Sequence, residues 1–152
     1  MNLVVDASVA INWFIDEPGH IQALEMTVAE SRLFAPDIVL AEVAHVLRRK
    51  VRMQLISNVQ AREAVTTLSR KFANLVAISD VIKLAYDLSA QLDHSIYDSI
   101  YLACALQETD RVLVTADVKF ATKASNAGYA DKIRILASLE SGTELGQENG
   151  NG

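Results

Sequence analysis

Short apolar runs alternate with longer stretches of helical period along the whole chain. Residues 3–5 (LVV), 32–35 (RLFA), 75–78 (LVAI), 111–115 (RVLVT) and 133–136 (IRIL) are continuous rather than alternating, the pattern of strands covered on both faces. Between them, residues 8–15, 21–30, 37–52, 58–72, 80–92, 96–108 and 118–126 place apolar side chains at helical spacing. Strand and helix in regular alternation predict an α/β domain: a mostly parallel central sheet with helices packed on it.

The helix starts carry capping residues. Pro36 and Asp37 precede the third helix, Ser57 the fourth, Ser79 and Asp80 the fifth and Ser95 the sixth. At 152 residues the chain suits one domain, residues 1–140. Residues 141–152 (SGTELGQENGNG) hold four of the six glycines and almost nothing apolar, so they read as a disordered tail. Every apolar stretch is interrupted before the ~20 residues of a bilayer span, and no basic leader precedes the first strand, which points to a cytoplasmic protein with no membrane contact. Cys104, the only cysteine, lies in an apolar helix and reads as a small buried hydrophobe. One cysteine excludes an internal disulfide or a cysteine zinc cluster. A net charge of −5 argues against holding nucleic acid by charge alone but leaves room for contact through a metal ion.

Four acids fall where a parallel sheet gathers ligands, beyond the carboxyl ends of its strands. Asp6 follows the first strand, with Ser8 two residues on. Asp117 follows the fourth, with Thr115 two residues before. Glu42 lies in the helix after the second strand and shares a helical face with Ile38, Val39 and Val46, where an ordinary surface glutamate does not belong. Asp98 lies in the first turn of the sixth helix. Each has a structural alternative. Asp98 fits a capping box with Ser95, Asp6 and Asp117 suit helix caps, and Glu42 is in reach of Arg49 or His45. Caps need not gather at one end of a sheet. If these acids gather, mutual repulsion raises their pKa values and calls for a cation, and an all-oxygen ligand set selects Mg²⁺ or Mn²⁺ over zinc. His20, His45 and His94 are scattered and read as surface or helix-flank residues. Carboxylates holding one or two such ions suit phosphodiester hydrolysis without a nucleophilic side chain.

The segments VVDASVAINWF, FAPDIVLAEVAHVLRRK, SIYDSIYLACAL and VLVTADVKFATKA resemble, in order and spacing, the four acidic motifs of the PIN domain, and most closely those of VapC toxins of bacterial type II toxin-antitoxin pairs. The resemblance covers residues 2 to about 137. It implies a Rossmann-like three-layer domain and a Mg²⁺- or Mn²⁺-dependent endoribonuclease, often a homodimer, cleaving RNA and inhibited by a VapB-type antitoxin. It carries the metal-binding and catalytic acids onto Asp6, Glu42, Asp98 and Asp117, with Ser8 and Thr115 supporting them. Two positions depart from the usual pattern: His45 stands where many relatives have Asn, and Ser99 where Ala is commoner. The alternative is a PIN-like binding module without catalysis. A phosphoacceptor receiver needs an acidic pair beside the first strand and a lysine after the last, and a D-x-D phosphohydrolase needs an acid at position 8, so neither fits.

Two further features are weighed by residue type. The basic run 48–50 (RRK) with Arg52 suits a helix C-terminal dipole and a solvated face better than an RNA contact. Trp13 and Phe14 read as core, with a partner groove as the minor alternative.

Overall fold

The computed structural model describes residues 1–136. Its strands are β1 (Asn2–Val5), β2 (Arg32–Pro36), β3 (Asn74–Val76), β4 (Arg111–Thr115) and β5 (Ile133–Ile135). All pair in parallel, in the order β3-β2-β1-β4-β5. Central β1 sets Val4 opposite both Phe34 and Leu113, and Val4 and Val5 are wholly buried. The inner strands β2, β1 and β4 are covered on both faces over most of their length, as their apolar runs require, while the outer strands β3 and β5 leave Asn74 and Arg134 exposed.

Seven helices connect the strands among the described residues: α1 (Ala7–Ala10), α2 (His20–Val28), α3 (Val39–Arg52), α4 (Asn58–Leu68), α5 (Ile78–Leu92), α6 (Ile96–Leu106) and α7 (Val118–Ala124). The chain leaves β1 toward β2 on one side and returns to β4 on the other. The order therefore reverses between β1 and β4, and a crevice opens there at the carboxyl ends of the strands.

Helix α6 is buried from Ser99 through Ala105 without interruption. It is apolar all round because it is sandwiched between the sheet and α5. Cys104 sits in this buried run, and burial pushes its thiol up to about 12, so it is an inert packing residue as its surroundings predicted. Trp13 is likewise core: its Nε1 donates to the Ala23 carbonyl at 2.8 Å, and its ring lies 5.5 Å from that of Phe72. It offers no exposed face to a partner, while Phe14 is half-buried at its edge.

Several helix boundaries depart from the sequence expectation. The first helix is one α-turn continued by a 3₁₀ turn at Ile11–Trp13. Ser57 caps α4 in a full capping box with Gln60. Ser79 and Asp80 do not cap α5, which already starts at Ile78. Its first N–H is taken instead by the Asp37 carboxylate at 3.3 Å, so Asp37 ties β3 to α5 rather than capping α3. No helix among the described residues is long and apolar enough to cross a membrane. Residues 137–140 and the tail expected at 141–152 lie outside the described residues.

Candidate active site

Asp6 is the last residue held by the sheet and the first to serve a helix. Its N–H donates to the Val114 carbonyl at 3.1 Å, and its own carbonyl accepts from Val9 and Ala10 at the start of α1. The side chain plays no part in that cap. Instead Oδ2 accepts from Ser8 Oγ at 2.6 Å and from Thr115 Oγ1 at 2.8 Å. Both hydroxyls are themselves acceptors, Ser8 Oγ from the Ala116 N–H and Thr115 Oγ1 from the Asp117 N–H, each at 3.1 Å. With a backbone N–H directed at each oxygen, the single hydroxyl proton points at Asp6. Two strand ends thereby orient one carboxylate.

The other three acids reach the same crevice from separate helices. Glu42 projects from α3 beside Ile38 and Val46, while Val39, Val43 and Leu47 take the core side of that helix. Its Oε1 accepts from Tyr101 Oη of α6 at 2.7 Å. Among the described residues it forms no ion pair with Arg49 or His45. Asp98, in the first turn of α6, accepts from His94 Nε2 at 2.7 Å. The alternative reading of Asp98, a capping box with Ser95, is absent: Ser95 Oγ caps alone, accepting from the Tyr97 N–H. Asp117 does cap α7, its Oδ1 accepting from the Phe120 N–H at 3.0 Å. That cap uses one oxygen and leaves the other for the cleft. Ligand atoms of His94, Asp98 and Asp117 lie within 4.8 Å of one another. Asp6, Glu42, Asp98 and Asp117 all line one cleft of about 780 Å³, with Ser8 and His45 on its walls.

Electrostatics follow from this crowding. Burial, with smaller contributions from Asp98 and Glu42, raises the Asp6 carboxyl to about 6, beyond what the Ser8 and Thr115 hydrogen bonds can offset. Glu42 and Asp98 are also raised, chiefly by burial, with Tyr101 and His94 respectively opposing it. Tyr101 is held well above the ordinary phenol range by burial and the neighbouring carboxylates, so its hydroxyl stays a donor to Glu42.

The family model of the PIN domain matches residues 3–126. The chain belongs to the PIN domain family. It is 32% identical over 120 residues to Ribonuclease VapC1 of Mycobacterium tuberculosis, in both strain CDC 1551 and strain H37Rv, spanning 78% of this chain and 87% of that protein. Solved structures share this chain's fold. PAE2754 from Pyrobaculum aerophilum superposes with a TM-score of 0.61 at 15% identity, over 91% of this chain and 86% of that one. A toxin-antitoxin complex from Klebsiella pneumoniae gives 0.53 at 22% identity, over 77% and 88%.

Within this PIN domain the six residues singled out from sequence stand together at one end of the sheet. Ser99, one of the two departures, is fully buried and donates to the Ser95 carbonyl at 2.9 Å, a polar contact that alanine could not make. His45, the other, lines the cleft. His94 corrects the reading of the histidines as mere flank residues. Its ring stacks on Phe120 at 4.8 Å, and its backbone is clamped by Ser89. Its i, i+4 spacing to Asp98 was the available signal. Tyr101 was missed altogether, although it lies on the Asp98 side of α6 three residues further on.

Proposed function

We propose that this PIN domain is a divalent-metal-dependent endoribonuclease and the toxin of a VapBC-type pair. The observation that carries the reading is the convergence of Asp6, Glu42, Asp98 and Asp117 on one cleft, in a chain 32% identical to a ribonuclease.

The side chains fit a hard cation. Their donors are carboxylate oxygens, which suit Mg²⁺ or Mn²⁺, and three of the four carboxyls have raised pKa values, the state of acids lacking a counter-charge. Asp6, Glu42, Asp98 and Asp117 would hold the ion. Bound there, it would supply Lewis acidity, making water more acidic and neutralising charge on the phosphate. The chain's own part is orientation. Ser8 and Thr115 fix Asp6, Tyr101 fixes Glu42, and His94 fixes Asp98. Each donor favours the ionised carboxylate that a cation needs.

An antitoxin of the VapB type would silence such a site by presenting Arg or Lys to the same acids, where guanidinium and carboxylate pair in bidentate geometry. The test of the function is direct: purified protein is incubated with single-stranded and looped RNA in Mn²⁺ or Mg²⁺, and new fragment ends are mapped. Intact RNA under both ions would leave the binding-module reading in its place.

His94→Ala is expected to weaken Mn²⁺ binding about 10- to 100-fold, the usual effect of removing a hydrogen-bond partner from a metal ligand. His94→Gln, which retains a donor, should recover part of it. Calorimetric titration of Mn²⁺ measures both, and equal affinity in all three proteins would reduce His94 to packing on Phe120.

A further inference from the structure

A net charge of −5 and four acids in the cleft repel a polyanion, so affinity for the strand beyond a phosphate held through a metal ion must come from cations placed elsewhere. The solvent face of α3 supplies them. Ala41, His45, Arg48, Arg49 and Arg52 are its exposed residues, recurring at helical spacing as one stripe. The stripe starts in the cleft, which Ala41 and His45 line. One turn on, Arg48 lines a second groove of about 460 Å³ between α3 and α4. Across it stands Arg62 of α4, while Leu47, Ala61 and Val65 supply apolar lining.

Among the described residues, Arg48, Arg49, Arg52 and Arg62 have no hydrogen bond or ion pair through their guanidinium groups. The neighbouring Lys50 is different, being paired with Glu17 at 2.6 Å. The helix C-terminal dipole accounts for cations in the last turn of α3. It does not account for Arg62, which belongs to another helix and faces the same groove.

We propose that the exposed stripe of α3 and the α3–α4 groove hold the single strand of RNA that flanks the scissile phosphate. This rests on the ribonuclease reading and adds where the substrate lies. Along α3, Arg49 stands seven residues beyond Glu42, about 10 Å at the helical rise, so the arginines meet phosphates next to the one in the cleft. The groove, with an apolar lining and a guanidinium on each side, takes an unstacked base against the accessible Val65 and Ala44 and its phosphate between Arg48 and Arg62. A protein partner matched to this groove would need an acidic segment. The continuity with the cleft favours the substrate, since a strand leaving the acids must cross this stripe.

The experiment uses full-length protein carrying Asp6→Asn, so that RNA survives, and a labelled 20-nucleotide unstructured RNA. Binding is followed by anisotropy from low to moderate salt. Replacing Arg48 and Arg62 together by Ala should flatten the slope of log K against log salt by about 1.4, or about 0.7 per lost contact on a single strand. Arg→Lys at both positions should restore most of the slope. An unchanged slope overturns the proposal, as does a loss of dimer or of antitoxin binding with RNA affinity intact. If the parent protein binds no RNA at all, the ribonuclease reading falls and this inference with it, whereas an unchanged slope in variants of an RNA-binding parent removes only the inference.

Discussion

Asp6→Asn is expected to lower RNA cleavage by roughly a hundred- to a thousandfold, the scale of removing one charge-stabilising group from a transition state, while raising the stability of the metal-free protein at neutral pH. The activity half follows from position, since Asp6 lies at the strand-order reversal and lines the cleft. The stability half follows from charge. The carboxyl moves from 3.8 to about 6 on folding, which at about 1.4 kcal/mol per pH unit corresponds to about 3 kcal/mol of unfavourable ionisation above pH 6. Between pH 4 and 6 the folded state binds more protons than the unfolded one, so wild-type stability falls as pH rises through that window. Asparagine does not titrate. Its carbonyl oxygen can still accept from Ser8 and Thr115, and its amide can donate toward the neighbouring carboxylates. Thermal melts of both proteins in chelator should therefore coincide near pH 4 and diverge by about 6 to 12 °C toward pH 7. A variant that melts lower across the whole range would make Asp6 a structural anchor for Ser8 and Thr115, and a variant that still cleaves RNA would remove it from the machinery.

What the sequence made legible was whatever depends on neighbours along the chain. Asp6, Ser8, Thr115 and Asp117 occupy strand ends, and strand ends follow from short apolar runs. Their convergence then needs only the parallel order. Ser57 with Gln60 is a local device, and it forms as read. The failures share a different cause. Asp37 and Ile78 are brought together by the β2–β3 register, so the start of α5 is set by a residue 41 positions away and not by Ser79 or Asp80. Tyr101 and Glu42 meet across 59 positions. His94 comes within reach of Asp98 only because Asp93 turns into the left-handed region, φ 47°, where α5 ends. Asp117 shows a further limit: setting capping against a place in the cleft is a false choice for a group with two oxygens.

Removal of divalent metal is expected to abolish cleavage completely and to steepen the fall of stability with rising pH. In chelator, Asp6, Glu42 and Asp98 are ionised against burial first and against neighbouring carboxylates as well, so stability declines as each passes its raised pKa. A saturating cation binds only the ionised carboxylates of the folded state. It adds RT ln(1 + [L]/Kd), about 2.7 kcal/mol at one hundred times Kd, and that increment grows with pH because protons no longer compete for the oxygens. Melting temperature should therefore fall from pH 4 to 7 in chelator and fall less, or rise, over the same range with Mn²⁺ or Mg²⁺. Asp6→Asn, lacking the most strongly raised carboxyl, should lose most of the metal-dependent increment. Cleavage that persists in excess chelator would exclude a metal mechanism outright. A metal-dependent increment that is flat with pH, or equal in Asp6→Asn, would place the ion away from these four acids even if cleavage required it.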